Sequence, residues 1–191
     1  MTRRAFLIRH GPTHARGMVG WSDIPADLSD SATLDWLDRE LPAGAPIVSS
    51  DLIRARDTAN AIPGTRPRLP DDPGLRELHF GAWELKTRDE IEDIAHFKAF
   101  WQNPGALSTP GGESWHGFMT RVSDAMTRIF QQSSAPDIVI TAHFGVILGL
   151  VAQARGQAPE QVFGQKIDNF SLTELHGTPG NWAPVRVNQL P

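Results

Sequence analysis

Three short, unbroken apolar runs constrain this chain more than anything else in it: "AFLI" at 5–8, "PIVSSD" at 46–51 and "DIVITAH" at 137–143. Apolar runs of this length without polar alternation read as strands buried on both faces, the condition met in a parallel sheet covered by helices. Helical patterns fill the intervals. "SDSATLDWLDRELP" carries Leu34, Leu37 and Leu41 at helical spacing behind Ser29 and Asp30 as N-cap candidates, and "DLIRARDTANAI" starts on Asp51 with Leu52, Ala55, Ala59 and Ile62 on one face. In "SWHGFMTRVSDAMTRIF" the residues Trp115, Phe118, Met119, Val122, Met126, Ile129 and Phe130 step by threes and fours, while "GVILGLVAQARG" is a nearly all-apolar helix stopped by Gly156. Strand alternating with helix predicts an α/β fold with a mostly parallel sheet and helices on both faces. At the C-terminus "NFSLTELHG" and "WAPVRVNQL" alternate around the turn signal "GTPGN", which predicts an edge strand or hairpin.

With 191 residues, 40% of them hydrophobic, the chain is long enough for one sizeable core, and a single domain over 1–191 is expected. Residues 78–118 hold three of the six Trp and four of the nine Phe in a stretch broken by "NPG" and "TPGG". That concentration predicts an excursion packing its own aromatic cluster over one end of the sheet, above the candidate site, although each aromatic taken singly reads equally well as core.

Composition excludes several function classes. A net charge of −4 with scattered basic residues leaves no electrostatic footprint for nucleic acid, so any anion bound here is expected to be small. The chain has no cysteine, which removes thiolate nucleophiles, disulfides and cysteine-ligated zinc. "MTRRAFLI" is too short in apolar residues for a secretion signal, and no later run has membrane-spanning length, so a cytoplasmic protein is expected. No sequence signal sets an oligomeric state.

Ligands of open α/β sheets bind outside the carboxyl ends of the strands, where the following helices point their positive N-termini. Three predicted strands deliver basic groups there: Arg9 and His10 after the first, Arg54 inside the helix after the second, and His143 after the third. Singly, a histidine after a strand is more often a hydrogen-bonded structural residue and Arg54 a solvated helix residue. Jointly, cations gathered at one sheet edge repel one another unless an anion or solvent neutralises them. Guanidinium forks beside helix N-termini suit the oxygens of a phosphoryl group. A metal site from His10, His14, His79 and His143 lacks H-x-H or H-E-x-x-H spacing, and the flanking arginines would repel a divalent cation, so neither metal nor other cofactor is expected. No G-x-S-x-G elbow is present, which leaves histidine itself as the nucleophile.

The segments "LIRHGPT", "SSDLIRARDTA", "LRELHFGAWE", "PGGESW" and "TAHFGVI" resemble, in order and spacing, the successive motifs of the histidine phosphatase superfamily, the phosphoglycerate mutase-like proteins. In style they are similar to the short bacterial phosphatases of the α-ribazole phosphatase type. The resemblance implies a three-layer α/β/α sandwich, with His10 as the phosphate-accepting nucleophile, Arg9, Arg54 and His143 as the phosphate-holding set, and Glu77 of "LRE" as the proton donor. Thr13 and Arg16 are further candidates for phosphate contact. Glu84, seven residues beyond Glu77, is a rival donor outside the motif. The chain departs from the family pattern at Pro12 and Arg16 in the first motif, at Phe144 where a small residue is usual, and at Leu148 where Arg is frequent. The departures at Phe144 and Leu148 bear on substrate identity rather than on chemistry, while Arg16 reads either as a further cation near the phosphate or as a solvated loop arginine.

The implied activity is metal-independent hydrolysis of a small phosphorylated metabolite through phosphohistidine. A phosphoglycerate mutase-type transfer fits the same motifs, but such chains are longer, with more polypeptide to keep water from the site. A non-catalytic phospholigand-binding module is the third reading, and it has no use for a positioned proton donor such as Glu77.

Overall fold

A computed structural model describes residues 2–62 and 64–191. Five strands form one open mixed sheet: β1 (Arg3–Arg9), β2 (Ile47–Ser49), β3 (Asp137–Ala142), β4 (Leu172–Thr178) and β5 (Asn181–Gln189), in the order β2-β3-β1-β4-β5. The first three are mutually parallel, with Phe6 opposite Val139 and Val48 opposite Ile140. The expected C-terminal hairpin closes the sheet, β4 running antiparallel to β1 and β5 antiparallel to β4. Pro184 lies on the edge strand β5, where its missing N–H disturbs the ladder least.

Six α-helices accompany the sheet among the described residues: α1 (Ser31–Glu40), α2 (Ile53–Ala61), α3 (Ile94–Gln102), α4 (Trp115–Gln132), α5 (Phe144–Arg155) and the single turn α6 (Pro159–Val162). Period-two alternation along β1 and β3 divides the apolar side chains between the two faces. Phe6, Ile8 and Val139 join Leu34 and Leu37 of α1 and Ala59 of α2 in one cluster. Ala5, Leu7, Ile138, Ile140 and Ala142 join Phe118 and Met126 of α4 and Val146 and Leu150 of α5 in the other. These two burials make the three-layer α/β/α sandwich, and they explain why the strands read as continuous apolar runs.

The helix ends follow local chemistry at two of the three predicted positions: Asp30 caps α1 by accepting the Thr33 N–H at 3.0 Å, and Gly156 ends α5 in the left-handed conformation at φ 63°. Ser114, not among these positions, also caps α4 by accepting the Gly117 N–H at 3.1 Å. The third predicted position differs. The second helix starts at Ile53, and its N–H donates instead to Asp23 of a distant loop at 2.6 Å, while Asp51 pairs bidentately with Arg76 at 2.8 and 2.5 Å. The aromatics of 78–118 pack on one another, Trp83 on Phe97 and Phe100, Trp101 on Phe80, Phe97 and Phe100, and Trp115 on Phe118. This cluster is continuous with the core on the α4/α5 face of the sheet, which takes in Phe80, Trp83, Phe100, Trp115 and Phe118. Among the described residues no helix is long and apolar enough to cross a membrane.

Candidate active site

The parallel strands β1 and β3 end side by side, and the site forms where they end. The His10 N–H donates to Ala142 O at 3.1 Å and the Arg9 N–H to Ser171 O at 3.2 Å. On the β4 side the Phe170 N–H returns to Arg9 O at 2.9 Å and the Asn169 side-chain amide donates to His10 O at 2.8 Å. The backbone beneath the two basic side chains is therefore held from both flanks.

Within this frame the His10 ring is oriented at both nitrogens. Nδ1 lies 2.7 Å from Gly11 O, which can only accept, so the proton is on Nδ1 and Nε2 carries the lone pair. Gly11 is itself held by its N–H to Thr58 Oγ1 at 3.0 Å. The Arg54 Nε–H donates to His10 Nε2 at 3.2 Å. Burial first, then the Arg54 cation, lowers the His10 pKa to about 3; the Gly11 carbonyl opposes the shift and Arg9 adds to it. The imidazole is consequently neutral, with a nucleophilic nitrogen, at any ordinary pH.

Arg54 is fully buried, and its two terminal nitrogens are held by backbone: Nη1 donates to Ser22 O at 2.9 Å and Nη2 to Gly20 O at 2.6 Å. Arg9 donates through Nη1 to Ile167 O at 2.6 Å and lies 5.5 Å from the Phe144 ring centroid, while its Nε is buried without a hydrogen-bond partner. His143 follows β3 as the residue preceding α5 and meets His10 edge-on, with ring centroids 5.1 Å apart. Both of its ring nitrogens are buried without a partner. Burial, then Arg54, His10, Arg9 and Arg121, holds His143 well below the ordinary histidine pKa.

Glu77 is buried against the start of α5. Oε1 accepts the Leu78 N–H and Oε2 the Gly145 N–H, each at 3.0 Å. Its pKa is raised because burial outweighs these two hydrogen bonds and the attraction of Arg54 and Arg9. Gly145 permits the approach, since a Cβ there would lie 2.4 Å from Glu77 Oε1. The Glu77 carbonyl is fixed in turn by the Trp21 indole N–H at 2.8 Å and Arg121 Nη2 at 3.1 Å.

The structure thus brings Arg9, His10, Arg54, Glu77 and His143 together. Of the other two candidates, Arg16 is exposed and Thr13 half-exposed, and among the described residues neither shares a hydrogen bond with the set. Glu84 has a different occupation, accepting hydrogen bonds from Gly20, Trp21, Ser22 and Phe80. Among the described residues no three His, Asp or Glu side chains gather in a group that could hold a metal ion. Sequence reasoning missed Asn169, Thr58 and Arg121, whose positions carry no local signal. Gly145 was visible within "TAHFGVI", but its reason is a contact with a residue 68 positions away.

Residues 5–190 match the sequence profile of the histidine phosphatase superfamily, branch 1. The chain belongs to this superfamily. An adenosylcobalamin/α-ribazole phosphatase of Salmonella typhimurium is 32% identical over 163 residues, 78% of each chain. A metal-independent phosphoserine phosphatase of Arabidopsis thaliana is 31% identical over 195 residues, covering 92% of this chain and 77% of the relative. Among solved structures, Bacillus stearothermophilus YhfR superposes with a TM-score of 0.84 at 29% identity, over 95% of each chain. In this histidine phosphatase the Phe144 ring takes up one side of the Arg9 guanidinium.

Proposed function

We propose that this protein is a metal-independent phosphomonoesterase that hydrolyses a small phosphorylated metabolite through a phosphohistidine intermediate. One observation carries the reading: around the His10 Nε2 lone pair, Arg9 Nε and both His143 nitrogens are buried with no protein partner. Buried polar nitrogens are rarely left so, and a tetrahedral anion supplies an acceptor for the Arg9 Nε–H and for the one N–H of neutral His143. The naming of the Salmonella and Arabidopsis relatives as phosphatases supports the reaction class.

In the first step His10 Nε2 attacks phosphorus as the ester P–O bond breaks, and the Glu77 carboxyl gives its proton to the departing oxygen to release an alcohol. Arg9, Arg54 and His143 hold the equatorial oxygens while charge shifts between the in-line positions. In the second step the Glu77 carboxylate takes a proton from water as that water attacks phosphorus. The N–P bond breaks, its electron pair returns to Nε2, and inorganic phosphate leaves with Glu77 reprotonated. The raised Glu77 pKa favours catalysis over passive binding, since a module that only holds a dianion gains nothing from a buried proton beside it.

Brief incubation with a radiolabelled phosphomonoester tests the covalent step. Acid-labile, base-stable label is expected on the wild type and none on His10→Ala, and near-normal turnover by His10→Ala would remove the nucleophile assignment.

A further inference from the structure

Glu84 sits beside the site, and the chemistry proposed above does not use it. Its Oε1 accepts the Trp21 N–H at 2.8 Å and the Phe80 N–H at 3.1 Å. Its Oε2 accepts the Gly20 N–H at 3.1 Å, the Ser22 N–H at 3.2 Å and the Ser22 hydroxyl at 2.6 Å. Residues 20–22 thus turn their N–H groups toward one half-buried carboxylate. The carbonyls of the same loop point to Arg54, Gly20 O accepting Nη2 at 2.6 Å and Ser22 O accepting Nη1 at 2.9 Å. No carboxylate pairs with Arg54 among the described residues, so these carbonyls set the plane of the guanidinium that presents Nε to His10.

Gly20 gives a second, independent sign. A Cβ at this position would lie 2.3 Å from Glu84 Oε1 and 2.2 Å from Leu78 O. The loop reaches the carboxylate only because residue 20 has no side chain.

We propose that Glu84 is a positioning residue for Arg54, gripping the N–H side of residues 20–22 so that their C=O side holds the guanidinium in its phosphate-binding plane. The inference rests on the phosphate-holding role of Arg54 given above. Charge-assisted bonds from several N–H groups to one carboxylate are stronger than neutral ones and fix the direction of each peptide. Although burial raises the Glu84 pKa, the bonds from Ser22, Trp21 and Phe80 outweigh it and hold the group below its ordinary value. Glu84 is therefore a lasting anion, opposite in character to Glu77.

A double-mutant cycle tests the proposal. Glu84→Gln keeps the size of the side chain but turns an NH2 toward N–H donors. Rates on p-nitrophenyl phosphate and an alkyl phosphate, and inhibition by vanadate, are measured with and without Arg54→Ala, on protein whose thermal melt confirms folding. Glu84→Gln alone is expected to lower both rates by the same factor, on the order of 10- to 10²-fold, as for a misplacement of about 1 Å. Vanadate inhibition should weaken alongside. In the Arg54→Ala background the same change should cost less than about 3-fold, because the group it acts through is gone. Ser22→Ala removes only one of the five bonds and should give a smaller loss, again equal on both substrates; it decides the matter if Glu84→Gln does not fold.

Three results would overturn the proposal: an undiminished Glu84→Gln loss in the Arg54→Ala background, a loss confined to the alkyl phosphate, or unchanged rates and vanadate inhibition in the folded variants. If Arg54→Ala itself turned over normally, the phosphate-holding role of Arg54 would fail first and this inference with it.

Discussion

Arg54 Nε donates to His10 Nε2 across 3.2 Å, so the buried cation of α2 is bonded directly to the lone pair that β1 delivers. The contact keeps the imidazole neutral and aims it, because a protonated Nε2 could not accept. It also places a guanidinium N–H where an oxygen of a phosphoryl group attacked by Nε2 would come to lie. Replacing Arg54 by Ala removes this donor, and a loss of roughly 10²-fold or more in kcat is expected, comparable to deleting one preorganised charge-stabilising donor. Arg54→Lys keeps the charge without the fork and should recover little. Steady-state rates on one phosphomonoester check both.

Glu77 should be needed in proportion to the basicity of the leaving group. An alkoxide requires its proton early, whereas p-nitrophenolate leaves almost unaided. Glu77→Ala should therefore slow alkyl phosphate hydrolysis by roughly 10²- to 10⁴-fold and p-nitrophenyl phosphate hydrolysis far less. Glu77→Gln is measured beside it, since its amide would set an NH2 against the Leu78 or Gly145 N–H. Because the pKa of Glu77 is raised, wild-type activity should fall as pH rises through it, and this alkaline limb should be absent in Glu77→Ala. Equal losses on both substrates would contradict the donor role.

Gly145→Ala tests the same group from the other side. The added methyl would stand 2.4 Å from Glu77 Oε1, so the carboxyl must move or lose a hydrogen bond. A stability cost of about 1–3 kcal/mol is expected from overpacking, together with a rate loss selective for poor leaving groups. Denaturant melts and the two-substrate comparison measure the two effects separately. An equal loss on both substrates would show that the methyl acts elsewhere.

The neutral histidines should make the fold acid-sensitive in a defined window. In the unfolded chain His10 takes up a proton near its ordinary 6.5, but in the fold only near 3. Between those values the unfolded state binds the extra proton, so stability is full above about 6.5 and is lost as pH falls toward 3. His143 is shifted in the same direction. Urea midpoints measured across this range should decline, and His10→Gln should decline less steeply. An unchanged slope in the variant would mean that His10 is not held neutral.

The sequence by itself determined the layers and the strand exits. "AFLI" and "DIVITA" could be buried on both faces only in a covered sheet, and the basic residues that end them mark the carboxyl edge where Arg9, His10 and His143 now stand. Asp30 and Gly156 were readable because capping is local, settled within three or four residues. What the tertiary structure decided depends on contacts that no spacing reports. Asp51 resembles a helix cap in sequence, but Arg76 takes it and Asp23 caps the helix instead. Glu77 and Glu84 are set apart in the sequence only by the family motif, and the physical difference between them, in burial and in the number of donors around each, comes from the tertiary structure. Glu77 has two N–H groups in a deeply buried position that favours the proton, whereas Glu84 has five hydrogen bonds that remove any use for one. The aromatics of 78–118 became core for the same reason, since burial is set by what packs against a side chain from elsewhere in the chain.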